Sequence, residues 1–273
     1  MFYPQLNSHV AGTLRFPLDD VVHALRLFRI WMALGWNDIL ARYRRSVLGP
    51  LWLTISMAVT IAAMGPLYGS IFNIDLESFL PHLSLGLIAW GFISAQLIEF
   101  GEIFQHSAHY LRNMKLPLSL FILRVQYRQL IILAHNLAII PVLFLILGRP
   151  VNMTLLLVIP GLILITINFF FIGLIVSFFC TRFRDMQPVL TSLMNLFFFV
   201  TPIVWHPDQL SGQRRLIAEL NPLAVYVDLI RAPVIGQAPP VNEWCFALGS
   251  AVVLMVMSVY LLKRSGHRLV YWL

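Results

Sequence analysis

The feature that most constrains this chain is a series of six long apolar runs, at residues 51–72, 80–99, 129–147, 153–179, 189–205 and 243–262. A helix needs about 20 mainly apolar residues to cross the hydrocarbon core of a bilayer. Composition agrees with a membrane setting: 59% of the 273 residues are apolar and 11% are charged, against about 45–50% and about 25% in soluble domains. Too little charge remains to cover a soluble core of this size. The sequence therefore predicts an all-α polytopic membrane protein with six transmembrane helices and no soluble domain. The third run could begin earlier, near Pro117, if Arg124 and Arg128 lie buried against protein.

Charge sets the orientation. With both ends cytoplasmic, fifteen of the nineteen Lys and Arg residues fall inside and four (Arg149, Arg214, Arg215, Arg231) fall outside, as the positive-inside rule requires. These charges lie between apolar runs rather than on one soluble face, so nucleic acid is not an expected partner. Cys180 and Cys245 fall on opposite sides of the bilayer in this topology and cannot pair. The N-terminus lacks a charged stretch followed by an apolar core and a small-residue cleavage site, so no cleaved signal peptide is expected.

Two segments outside the spans have an apolar face. In residues 18–34, Leu18, Val21, Leu25, Phe28 and Met32 recur at helical spacing, predicting an amphipathic helix lying on the membrane. Asp19 and Asp20 stand in its first turn, with Arg26 and Arg29 later. Residues 206–242 form the one long outer connection. Leu216, Ile217 and Leu220, then Leu223, Val227 and Ile230, suggest two short helices broken at Asn221-Pro222. Their apolar faces point to partial re-entry into the membrane; a plain surface hairpin is the alternative.

Motifs for chemistry are missing. There is no G-x-x-x-x-G-K-[ST] phosphate loop, since Met114 precedes Lys115 and Leu262 precedes Lys263. G-x-S-x-G and H-E-x-x-H are likewise absent. The sequence thus predicts no catalytic, cofactor or metal residue in this chain, and ATP hydrolysis by it alone is excluded. Glu99, Glu102, His106 and His109 share one helical face and could relay protons or bind a metal, but a lone helical row meeting water at a span's end is the simpler reading. Arg124 and Arg128 also share a face; they either snorkel to the inner interface or grip an anionic headgroup or pyrophosphate. Gly65 and Gly69 form one G-x-x-x-G, read as ordinary packing within the chain. Polar and aromatic residues align along two spans: Trp52, Ser56 and Thr60 in the first, and Thr191, Asn195, Phe198, Pro202 and Trp205 in the fifth. Polar faces are disfavoured in lipid, so these are expected to turn inward and line a conduit, with helix–helix packing as the alternative.

Several stretches, in order, resemble the ABC-2 type transporter permeases, particularly the polysaccharide exporters of the O-antigen and capsule kind. They are Asp38, Arg42-Tyr43-Arg44-Arg45-Ser46, Leu48-Gly49-Pro50 and Trp52 before the first span; Leu111-Arg112-Asn113-Met114-Lys115-Leu116-Pro117 between the second and third; Arg184-Asp185 before the fifth; and Thr201-Pro202, Asn221-Pro222-Leu223 and Arg231 in the outer part. The match runs through nearly the whole chain from about residue 20, as a single transmembrane domain spanning 1–273.

The resemblance implies a homodimer in the bacterial inner membrane, paired with two copies of an ATP-binding subunit that carries the ATP and Mg. It implies export of a lipid-linked polysaccharide, most simply O-antigen on undecaprenyl pyrophosphate, from cytoplasm to periplasm. Capsular polysaccharide, teichoic acid or another amphipathic cargo fits the same pattern. It makes 18–34 an interface helix, with Arg26 and Arg29, and places ATPase contacts at Phe104–Lys115 (His109, Arg112, Lys115) and Thr181–Gln187 (Arg184, Asp185). It makes 206–242 a periplasmic gate containing Asn221, Pro222 and Arg231, and Arg42, Arg44, Arg45, Arg124 and Arg128 candidates for pyrophosphate or lipid headgroups. Two other classes compete: a membrane sugar-transfer enzyme, which needs acids or histidines converging at one bilayer face, and a membrane scaffold, which needs no re-entrant loop.

Overall fold

The structure, a computed structural model, describes residues 15–44, 46–206 and 220–273. Every regular element among them is helical. In chain order these are α1 (Arg15–Arg26), α2 (Phe28–Arg42), α3 (Leu51–Phe72), α4 (Leu76–His106), α5 (Ala108–Asn113), α6 (Leu118–Leu137), α7 (Ile139–Ile146), α8 (Val158–Arg182), α9 (Met186–Val200), α10 (Pro222–Ile235), α11 (Val241–Ser265) and α12 (Leu269–Trp272). A 3₁₀ turn, Met153–Leu157, leads into α8. The protein is polytopic: five stretches, Leu51–Phe72, Leu76–His106, Leu118–Ile146, Met153–Arg182 and Val241–Arg268, are long and apolar enough to cross a membrane.

The fifth expected span, 189–205, differs. Its helix is α9, 15 residues long, which rises about 22 Å and falls short of a core about 30 Å thick. The cause is local: Thr201 precedes Pro202, and the proline ring disfavours helical backbone at the residue before it. Thr201 is accordingly extended, with ψ 136°. The third span starts at Leu118, not at 129, because Arg124 and Arg128 lie against α2 instead of needing the interface. The second span also outruns its expected end, continuing through Glu99 to His106.

α4 is the hub. It packs against α3, α6, α8, α9 and α10, and its middle, from Leu83 to Phe104, supplies much of the buried core. Small residues let backbones approach. A Cβ on Gly86 would lie 3.1 Å from the Ile203 carbonyl oxygen, so the stretch after α9 sits directly on α4. Gly65 and Gly69 of α3 face Leu80 and Leu76 of α4, which makes the G-x-x-x-G an intrachain contact.

The N-terminal segment is two helices, broken at Leu27 and running on to Arg42, well past the expected end at 34. Leu18, Leu25 and Phe28 are exposed, while Ala24, Gly35 and Ile39 are buried. Val21, Leu27, Trp31 and Leu34 pack against the core as well, so Leu18, Leu25 and Phe28 are the part of the stripe left for the surroundings. α2 crosses α6 closely: a Cβ on Gly35 would meet the Tyr127 ring at 2.9 Å and the Arg124 carbonyl at 3.0 Å.

Candidate functional site

At one end of the helix bundle, α5 is anchored by buried Leu111 and carries His109, Arg112 and Asn113 outward, with Lys115 exposed just beyond. His109 lies beyond the break at Ser107, so it no longer shares a helix with Glu99, Glu102 and His106. Its ring and carbonyl instead meet Asn113. Glu102 and His106 approach to 3.8 Å on the surface, and no group of three His, Cys, Asp or Glu suited to a metal occurs among the described residues. Arg184 and Asp185 are exposed in the turn between α8 and α9. That turn is held to the hub by Gln187, whose Nε2 donates to the Ile98 carbonyl at 2.9 Å. Arg182 sits over the Phe183 and Trp272 rings at 5.3 and 5.4 Å, and α12 packs on both α5 and α8. Arg26 and Arg29 are exposed.

Asp20 joins the N-terminal arm to the core. Pro117 precedes α6 and offers no side-chain acceptor to the first turn. The Asp20 carboxylate fills that role from 98 residues away, accepting from the Leu118 N–H at 2.9 Å and the Ser119 N–H at 3.0 Å. Burial pushes its carboxyl above the usual carboxylate range, against the opposing pull of the Ser119 and Leu118 donors and of His23.

One turn past Gly35, Asp38 of α2 pairs both arginines of α6. Arg124 donates from Nε at 2.8 Å and Nη2 at 2.6 Å, and Arg128 donates from Nη1 at 2.9 Å. Arg128 also pairs with Glu99 of α4, whose other oxygen accepts from Gln129 at 3.0 Å. These side chains are only 10 to 22% exposed, so desolvation makes the pairing necessary. Within the chain, the charges of both arginines are met by Asp38 and Glu99. Arg42 and Arg44 remain exposed nearby, and Arg45 lies outside the described residues. Asp38 is the residue that sequence pattern leaves without a role, although a lone acid in an apolar and basic stretch was the available signal.

At the opposite end, the expected gate residues meet at one point. Asn221 accepts from the Leu223 N–H at 3.0 Å, capping α10 with Pro222 in its first turn, and donates to Thr201 Oγ1 at 2.8 Å. Arg231 is buried; it pairs with Asp228, donates to the Pro202 carbonyl and meets His82 Nε2 at 3.1 Å. His82 and His206 stack with centroids 3.7 Å apart. The bend after α9 is therefore pinned from α10 and from α4. The first expected helix of this region, around Leu216 and Ile217, lies outside the described residues. A second buried tie, not singled out by sequence pattern, runs through Asn168, Tyr226 and Ser250 and joins α8, α10 and α11.

The conduit candidates lie on the surface of the single chain. Trp52, Ser56 and Thr60 are exposed along α3, and the Ser56 and Thr60 hydroxyls donate to carbonyls of their own helix at 2.7 and 2.9 Å. Asn195 is exposed on α9. Phe198 packs edge-on against Trp90 at 6.1 Å, and Trp205 Nε1 donates to the Phe199 carbonyl at 3.1 Å.

Over residues 29–235 the sequence matches the ABC-2 type transporter family, and the chain belongs to that family. It is a multi-pass transport subunit rather than a catalyst. The O-antigen export system permease protein RfbA of Myxococcus xanthus is 22% identical over 228 residues, covering 82% of this chain and 87% of that protein.

Proposed function

We propose that the chain is the membrane subunit of an ATP-driven exporter that moves a lipid-linked polysaccharide of the O-antigen kind from the cytoplasm across the bacterial inner membrane. Similarity to the RfbA permease along most of both chains supports the cargo class. ABC-2 permeases work with ATP-binding subunits, and the missing phosphate loop requires one. Its docking surface is the exposed inner end: Arg26, Arg29, His109, Arg112, Lys115, Arg184 and Asp185.

The observation that carries the reading is the surface position of Asn195. An exposed amide facing hydrocarbon is costly, whereas on a water-filled passage between two copies it is solvated. In a homodimer, the α3 face (Trp52, Ser56, Thr60) and the α9 face (Asn195, Phe198, Trp205) would line that passage. Asn221, Pro222 and Arg231 would hold its outer bend. Ring faces stack on the CH-rich side of a sugar without requiring one hydrogen-bond pattern, which suits a sliding polymer. The cytoplasmic headgroup would meet Arg44 and Arg45, because Arg124 and Arg128 are already paired.

The test is reconstitution with a candidate ATP-binding subunit in vesicles loaded with lipid-linked polymer. ATP-dependent transfer is expected, slowed in the Phe198→Ala/Trp205→Ala double variant with basal ATPase retained. ATP hydrolysis by the pure chain, or full transport in the double variant, would contradict the reading.

A further inference from the structure

A cavity of about 220 Å³ lies between α3, α4 and α6, reaching from Arg42 and Gln129 to Asn136. Its α4 wall is formed by Ile88, Gly91, Phe92 and Ala95, facing Ile132 and Leu133 of α6. α4 and α6 run in opposite directions, and the Glu99–Arg128 pair lies next to Gln129 at one end of the cavity. From there it extends toward the bilayer centre, about 10 Å along α6. Arg42 stands at the inner mouth, and Asn136 closes the other end.

The charges beside this mouth do not cancel. Three guanidiniums, Arg42, Arg124 and Arg128, face two carboxylates, Asp38 and Glu99. Both carboxylates are taken by the α6 arginines, and no described carboxylate pairs with Arg42. Its charge lies close enough to bear on Arg128. One positive charge is therefore left over at the edge of the cavity, where it attracts an anion.

We propose that this cavity is a binding site for an anionic phospholipid of the inner leaflet, its phosphodiester on Arg42 and the start of one acyl chain between α4 and α6. The surplus of one charge matches a singly charged phosphodiester. The volume of about 220 Å³ takes the start of one chain and leaves the second in the bilayer. The site is independent of the exported cargo and needs only that the chain be embedded in a membrane. Lipid bound here covers the exposed side of the Asp38–Arg128–Glu99 cluster and so braces the junction of α2 with α4 and α6.

The experiment is native mass spectrometry of the purified full-length chain titrated with phosphatidylglycerol, phosphatidylethanolamine or undecaprenyl pyrophosphate. Wild type should retain phosphatidylglycerol preferentially. Arg42→Gln should weaken that binding about fivefold, and Arg42→Lys should restore most of it. Gly91→Leu should also weaken it, since a Cβ at Gly91 meets only the Met57 methyl at 3.6 Å and the side chain has room to enter the cavity. Lys263→Gln, which removes an inner-face charge away from the cavity, should bind as wild type does. Equal retention of the two phospholipids, unchanged binding in Arg42→Gln, or an equal loss in Lys263→Gln would overturn the site. Preferred retention of undecaprenyl pyrophosphate would overturn the choice of occupant and assign the cavity to the carrier.

Discussion

Replacing Asp38 with Asn tests how the N-terminal helices are held to the membrane core. The change keeps the shape and removes one charge. Arg124 then has no carboxylate partner among the described residues, while Arg128 keeps Glu99. Breaking a fully buried pair from one side costs about 3–5 kcal/mol. Here the Asp38 and Arg124 side chains are 18% and 17% exposed, so the loss falls at the lower end, about 3 kcal/mol. In a chain of this size that lowers the melting temperature by about 6–12 °C. Tryptophan fluorescence during heating in detergent reads it, because Trp31 and Trp36 lie on the helix that is released. A double-mutant cycle with Arg124→Gln isolates the pair, and the double variant should recover about 1–3 kcal/mol relative to the sum of the single changes. Melting of Asp38→Asn within about 2 °C of wild type, or strict additivity in the cycle, would refute the reasoning.

Gly35→Leu should drive α2 away from Tyr127 and the Arg124 carbonyl, costing about 1–3 kcal/mol in the same melting assay, with Gly35→Ala milder. Arg231→Ala should cost about 3–5 kcal/mol and abolish transport, since it strands Asp228 and the Pro202 carbonyl; Arg231→Lys, which keeps the charge but not the fork, should fall between. Asp20 has a pH signature. Its folded carboxyl titrates above the ordinary value of 3.8, so the folded chain holds that proton longer than the unfolded one. Stability from this group is therefore full below about 3.8 and declines as pH rises through the raised value. Asp20→Asn should flatten that slope in a melting series across acidic pH.

Much of the architecture is legible in the residues alone, because a bilayer imposes a coarse rule. Apolar length marks the spans, and that signal does not depend on knowing which helices touch. The Asn221-Pro222 start of α10 is equally local, since a cap and a fixed proline φ act within one turn. The fifth span shows where that rule stops: residues 189–205 are apolar enough to cross, but Thr201-Pro202 ends the helix by a steric effect that hydropathy does not register.

The pairing of charges was decided only by the tertiary structure. Helical spacing places Arg124 and Arg128 on one face, but their partner lies 86 and 90 residues away in sequence. A long stretch of sequence likewise separates Asp20 from the backbone N–H groups it caps on α6, and Arg231 from the His82 ring nitrogen it meets. Periodicity within a helix tells which residues point the same way; it carries no information on which other helix supplies the opposite charge. In a medium with little water, each buried ion must find that partner to be tolerated. The sequence therefore determined that this chain is a multi-pass membrane protein. Packing around α4 decided which of its charges are held within the chain and which remain at the surface.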